Sequence, residues 1–311
     1  MRSKDLLSIT DLESHEIRLL LADATSMKAE GWQTTLSGKT LALLFEKPSL
    51  RTRVSFELAM KQLGGEAIYL SPAEVGLGKR ESIADVARVL SRYVDALAVR
   101  TFAQSGLEEL ARWAKIPVIN ALSDEEHPCQ ALADLLTIYE HKGDYPGLKL
   151  AYIGDGNNVA VSLALAAASV GLSMTIASPK GYEVPDGVMK QVLKTASDND
   201  CTVEMTISPE AAARGADIIY TDVWISMGQE DEAEKRLRDF NGYQVNERTL
   251  TLAKSDAIIM HPLPAHYGQE VAPELLDSQQ SVVFDQAENR LHVQKALLAD
   301  MLGGLLLPWP A

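Results

Sequence analysis

The chain has 311 residues, 46% apolar and 23% charged, a composition that excludes a disordered or fibrous protein and suits two globular domains with sizeable cores. With 43 acidic residues against 29 Lys and Arg, the net charge of −14 argues against nucleic acid as a partner, because a binder needs a basic face and this chain is repelled overall. Its two cysteines, Cys129 and Cys201, allow at most one disulfide and show no zinc-type spacing, and the absence of a signal-like start or of an apolar run of roughly 18–20 residues leads us to expect a soluble cytoplasmic protein with free thiols, not in contact with a membrane.

Apolar runs that read as strands recur at 41–45, 67–70, 96–99, 118–119, 150–153, 174–177, 218–220, 257–260 and 282–284. They alternate with helical segments, which predicts an α/β fold of parallel sheets with helices on both faces and sites at the carboxyl ends of the strands. A polar turn, Asp144-Tyr145-Pro146-Gly147, marks the division between two domains.

After the first strand, Ser49-Leu50-Arg51-Thr52-Arg53 opens a helix whose apolar residues Val54, Leu58 and Leu63 follow at helical spacing. Ser49 is a favoured N-cap, and the free N–H groups of a first turn carry partial positive charge, so the segment reads as an anion site. Arg51 and Arg53, two apart, do not share one helix face; one of them suffices for the anion while the other braces the fold. Read alone, the segment is equally an ordinary capped helix with a solvated basic turn. Arg100 closes the 96–99 strand. His127-Pro128-Cys129-Gln130 then starts another helix, with Pro128 at a first helical position, His127 at the cap and Gln130 in the first turn. An imidazole beside a carboxamide there suits polarisation of a carbonyl.

In the second half, Gly154-Asp155-Gly156-Asn157-Asn158 joins a strand to an alanine-rich helix. It is an incomplete dinucleotide fingerprint, since Val159 takes the third glycine position and the next strand ends in Ser178-Pro179 without an acidic residue. Asp222-Val223-Trp224-Ile225-Ser226-Met227-Gly228 leaves the 218–220 strand, and His261-Pro262-Leu263-Pro264 leaves the 257–260 strand. A carboxylate such as Asp222 attracts an amino group and repels a substrate acid, which in a partly dry site is worth a few kcal/mol, about a hundredfold in affinity.

The 49–53 helix start, Arg100 and the His127-Pro128-Cys129-Gln130 turn together resemble the aspartate and ornithine carbamoyltransferase family, and the resemblance extends over nearly the whole chain. It implies a carbamoyl phosphate-binding domain over 1–146, an ornithine-binding domain over 147–287, each a mostly parallel sheet flanked by helices, and a C-terminal helix, 288–311, that returns to the first. The implied reaction moves the carbamoyl group of carbamoyl phosphate to the δ-amine of L-ornithine, giving L-citrulline and phosphate. It is a step of arginine metabolism that needs neither metal nor cofactor. The resemblance further implies a homotrimer, or a multiple of trimers, with sites shared between neighbouring subunits.

Carried over by position, the resemblance assigns the phosphate to Ser49, Leu50, Arg51, Thr52 and Arg100, the carbamoyl oxygen to His127 and the carbamoyl amine to Gln130. Catalysis falls to His127, Arg100 and Arg51, and Arg53 is a structural member. Asn158 takes the α-carboxylate of ornithine, Asp222 and Ser226 its α-amino group, Met227 a backbone contact, Pro262 and Leu263 the δ-amine through their carbonyls, with a cis Leu263–Pro264 bond, and Arg290 faces the substrates.

Three departures stand out. Leu50 replaces a threonine. Gly76 stands where relatives have a glutamine that reaches a neighbouring site, leaving Lys79 or Arg80 to do that work. Pro262 stands where ornithine enzymes carry a cysteine, and with it goes any part a thiol plays with the δ-amine. Pro262 favours aspartate as acceptor, but enzymes for aspartate carry an arginine where this chain has Asp222. Putrescine is a third acceptor, against which Asn158 and Ser226-Met227 suit an α-amino acid. A dinucleotide-dependent oxidoreductase explains the 154–158 loop alone, and a catalytically dead binder is opposed by Ser49, Arg51, Arg100 and His127 all being in place.

Overall fold

Short runs of Leu, Ile, Val and Ala build two wholly parallel sheets, and the computed structural model describes them within residues 1, 3–31, 33–78 and 81–303. The chain divides into two units, Met1–Leu136 with the described part of Glu288–Ala311, and Thr137–Ala287.

In the first unit, β1 (Thr40–Phe45), β2 (Glu66–Leu70), β3 (Ala96–Arg100) and β4 (Val118–Leu122) pair in the order β2-β1-β3-β4. β3 is buried at every residue, as a parallel strand covered on both faces must be. Its helices are α1 (Ser14–Glu30), α2 (Leu50–Gln62), α3 (Pro72–Val75), α4 (Ile83–Leu90), α5 (Gln104–Trp113) and the first part of α6 (Pro128–Lys142). Leu44, Leu97, Val99, Leu107 and Leu110 form the core between β1, β3 and α5.

In the second unit, β5 (Lys149–Ile153), β6 (Ser173–Ala177), β7 (Val203–Thr206), β8 (Ile218–Thr221) and β9 (Ile258–Met260) pair in the order β7-β6-β5-β8-β9. Between them run α7 (Asn158–Val170), α8 (Asp186–Asp198), α9 (Pro209–Ala213), α10 (Ala233–Asp239) and α11 (Glu247–Leu252). α7 is buried almost all round, which its small alanine side chains permit. The last helix, α12 (Val283–Leu298), starts in this unit and from Glu288 belongs to the first. There the Lys295 ammonium donates to the carbonyls of Met27 (3.2 Å) and Gly31 (2.7 Å) at the end of α1, and Lys28 donates to Asn289 at 2.9 Å.

Two elements differ from the sequence expectation. The 282–284 run is not a strand: Ser281 makes a single bridge to Ile259, and Val283 then opens α12, five residues before the expected start. Three apolar residues carry no period of their own, so the helical pattern downstream decides. β7 was not expected because its sequence, VEMT, is half polar, as suits its place at the edge of the sheet.

Strand order reverses between β1 and β3 in one sheet and between β5 and β8 in the other. Those two switch points, at the carboxyl ends of the strands, are where open α/β sheets form their ligand crevices.

Candidate active site

At the first switch point the chain leaves β1 and turns into α2. Ser49, extended at φ −157°, caps that helix by accepting the Thr52 N–H at 3.3 Å. Leu50, the first residue of that helix, is 77% exposed. Thr52 is buried and its hydroxyl accepts from Arg290 Nη2 at 2.6 Å. Arg53 turns away, pairing with Glu57 at 2.8 Å and lying 4.0 Å over the Tyr69 ring. The i, i+2 separation thus splits the two arginines as expected.

Arg100 closes β3 beside this helix start. Among the described residues, the Nε atoms of Arg51 and Arg100 are buried with no hydrogen-bond partner, a costly state that an anion relieves. Burial lowers the Arg51 pKa, and burial, then Arg290, then Arg51 push that of Arg100 down to about 10. Both remain cations at neutral pH.

Arg290, expected among the acceptor residues, is placed here on α12: Nη1 donates to Gln130 Oε1 at 3.2 Å as Nη2 holds Thr52. Gln130 in turn donates to Asp134 at 2.9 Å. His127 stands at the start of α6, its carbonyl accepting from Gln130 N and Ala131 N at 3.0 and 3.2 Å. Its pKa lies well below the ordinary value because of burial, with Arg290 and Arg100 adding to the effect. The imidazole is therefore neutral and carries a single N–H. Cys129, the second residue of α6, is buried with its thiol pushed up to about 12 by burial, so it is no nucleophile. Gly76 closes α3 in the left-handed region at φ 46°, while Lys79 and Arg80 lie outside the described residues.

At the second switch point Asp222 follows β8, 6% exposed, and accepts from Asn157 Nδ2 at 2.8 Å. Asn157 is the N-cap of α7, its Oδ1 taking the N–H groups of Val159 (3.0 Å) and Ala160 (3.1 Å). One amide thus caps the helix and orients the carboxylate, and Asn158, half-buried, begins the helix beside it. Ser226 is half-buried, its N–H donating to Gln229 at 3.0 Å, and Met227 is 48% exposed. Leu263–Pro264 is cis, matching the resemblance. The Leu263 N–H donates to His261 Nδ1 at 2.9 Å, which leaves the ring proton on Nε2, 3.1 Å from the buried Glu270. Pro262 is buried in the same turn.

Sequence reasoning missed Asn157, although an asparagine between a glycine turn and a helix is an N-cap signal. It also missed the ion pair that joins the two loops. Arg236 Nη1 donates to Asp155 at 2.7 Å and to the Trp224 carbonyl at 2.9 Å, tying the 154–158 loop to the 222–228 loop. Burial raises the Asp155 pKa and the Arg236 contacts oppose it. No sequence signal pairs residues this far apart.

One switch point thus presents two arginines beside a neutral imidazole, with a third beside Arg100, and the other a buried carboxylate. These features define a carbamoyltransferase: the chain belongs to the aspartate/ornithine carbamoyltransferase family, whose carbamoyl-P binding domain matches residues 4–140 and whose Asp/Orn binding domain matches residues 146–301.

Within that family the chain is similar to the ornithine carbamoyltransferases of Anoxybacillus flavithermus (53% identity over 306 residues, covering 97% of this chain and 98% of that protein) and Bacillus subtilis (53% over 299 residues, 96% and 94%). The solved structure of the Pyrococcus furiosus ornithine carbamoyltransferase superposes with a TM-score of 0.94 at 50% identity, covering 97% of this chain and 98% of that one.

Proposed function

We propose that the protein transfers the carbamoyl group of carbamoyl phosphate to the δ-amine of L-ornithine, forming L-citrulline and phosphate. The observation that carries this reading is the opposed chemistry of the two switch points: Arg100 and Arg290 beside His127, with Arg51 beside Arg100, in one unit, and the buried Asp222 in the other.

Ser49, the Leu50 N–H, Arg51, Thr52 and Arg100 hold the phosphate at the positive pole of α2. His127 donates to the carbamoyl oxygen, and Gln130, held by Arg290, reads the carbamoyl amine. Asp222 and Ser226 take the α-amino group of ornithine, Asn158 its α-carboxylate, and the backbone of Met227, Pro262 and Leu263 frames the side chain. The δ-amine, with an unperturbed pKa of about 10.4, loses a proton before it attacks. The tetrahedral oxyanion is held by His127, Arg100 and Thr52. The first proton goes to solvent; as the tetrahedral intermediate collapses, phosphate departs against Arg51 and the helix pole and accepts the second proton, the one left on the attacking nitrogen.

The protein works in the cytoplasm as a homotrimer or a multiple of trimers, within arginine metabolism. A citrulline assay that offers ornithine, putrescine, lysine and aspartate in parallel tests the reading. Product is expected with ornithine alone, and carbamoylation of aspartate or putrescine at a comparable rate would overturn the acceptor assignment.

A further inference from the structure

The turn that presents His127 is stitched to the beginning of the chain. Leu6 makes a parallel bridge to Ile119 on β4, an edge strand, its N–H donating to Val118 O at 2.9 Å and its carbonyl accepting from Asn120 N at 2.7 Å. Asp5 accepts the Val118 N–H at 2.8 Å, and Leu7 O accepts from Asn120 Nδ2 at 2.8 Å. The strap then reaches the site: Ile9 N–H donates to Glu126 Oε2 at 3.1 Å, across 117 residues of sequence.

Ile9 is the first residue of the 3-10 turn Ile9–Asp11, and the leading N–H groups of such a turn have no partner within it. Ser8 Oγ takes the Thr10 N–H at 3.1 Å, and Glu126 takes that of Ile9. Glu126 is 8% exposed and immediately precedes His127. Its backbone is fixed as well: the Glu126 N–H donates to Ser123 Oγ at 3.0 Å, and its carbonyl accepts from Ser123 N at 2.9 Å. Ser123 Oγ in turn contacts Gln104 Oε1 at 2.6 Å.

We propose that Glu126 is a positioning residue for His127, its carboxylate anchoring the 123–127 turn to the Ile9 N–H so that the imidazole is set against the carbamoyl oxygen. In this role Glu126 acts through the peptide it shares with His127. The proposal rests on the part given to His127 above.

The test is steady-state citrulline formation by the full chain, with thermal unfolding recorded on each variant. Glu126→Ala is expected to lower kcat by about ten- to a hundredfold, the scale of a small misplacement of a catalytic group, with KM for ornithine within about twofold of the unsubstituted protein because those contacts lie elsewhere. Glu126→Gln keeps an acceptor oxygen and recovers most of the rate.

Ile9→Pro removes the donor from the other side. Proline suits a first helical position, and Ser8 at φ −139°, ψ 157° has the extended backbone that a residue before proline requires. It should lower kcat as Glu126→Ala does. The double variant should fall no more than about twofold below the lower single in kcat, because both remove the Ile9–Glu126 hydrogen bond. Glu125→Gln, an exposed neighbour, should behave as the unsubstituted protein.

The positioning role is overturned if Glu126→Ala keeps its kcat, if kcat and both KM values worsen in step with lost thermal stability, or if the two single losses multiply in the double variant. An unsubstituted protein that makes no citrulline from ornithine removes the functional reading, and this proposal with it.

Discussion

In the proposed reading Asp222 trades stability for recognition. Its pKa is raised chiefly by burial, which outweighs the opposing contributions of His261, the Asn157 amide and the Val223 N–H. A carboxyl raised in this way keeps its proton in the fold at pH values where the unfolded chain has lost it. The stability contributed by the protonated form is therefore complete below the ordinary value of 3.8 and is lost as pH rises through the folded value. In the ligand-free protein at neutral pH Asp222 is a liability, and a cationic amine removes it. Asp222→Asn is thus expected to unfold at a higher temperature than the unsubstituted protein at pH 7 without ligand, the gap closing towards pH 4. It should also raise KM for ornithine by about a hundredfold while leaving KM for carbamoyl phosphate nearly unchanged. Unfolding scans between pH 4 and 8, with kinetics on both substrates, check the two halves, and equal losses for the two substrates would contradict the assignment.

The strand, glycine turn and helix after β5 set where Asn157 stands, and Gly156 is the point of closest approach. A Cβ there would lie 2.8 Å from Glu183 O and closer still to the Glu183 and Val184 backbone, while Gly156 N–H already donates to Tyr182 O at 2.8 Å. Gly156→Ala should cost about 1–3 kcal/mol of stability and weaken ornithine through the displaced Asn157. Gly187, near the start of α8, has nothing within 4 Å of its would-be Cβ, so Gly187→Ala should stabilise by about 0.5–1 kcal/mol. Denaturant unfolding of the pair checks the contrast. Elements of this kind were legible in the sequence because their signals are local: Ser49 caps α2, Pro128 starts α6, and the apolar runs at 41–45 and 150–153 lie in strands. The 282–284 run was misread because three residues show no period. Three other facts depend on contacts that spacing cannot encode. Arg290 reaches Thr52 across 238 residues, Asn157 reaches Asp222 across 65, and Ile9 reaches Glu126 across 117. Which residues stand at the ends of the strands could be read from the sequence, but the network that joins them could not.

A chain of net charge −14 repels anions as a whole, so a doubly negative donor is captured by a local field, not by long-range attraction. That field comes from burying cations beside one another: burial first, then Arg290 and Arg51, lowers the pKa of Arg100, and burial first, then Arg290 and Arg100, lowers that of His127. Mutual repulsion of this kind costs stability until an anion arrives, and ligand that binds only the folded state returns about 2.7 kcal/mol at a hundredfold excess over its Kd. Inorganic phosphate at constant ionic strength is therefore expected to raise the unfolding temperature along a saturable curve. Chloride at the same ionic strength should not. Arg100→Met should abolish the phosphate effect while unfolding, without phosphate, no lower than the unsubstituted protein, because removing one buried cation relieves its neighbours. Asp222→Asn, in the other unit, should keep the full phosphate shift. Differential scanning calorimetry across a phosphate series decides the matter, and a shift that survives in Arg100→Met would mean that the anion is held somewhere other than the cluster at the carboxyl ends of β1 and β3.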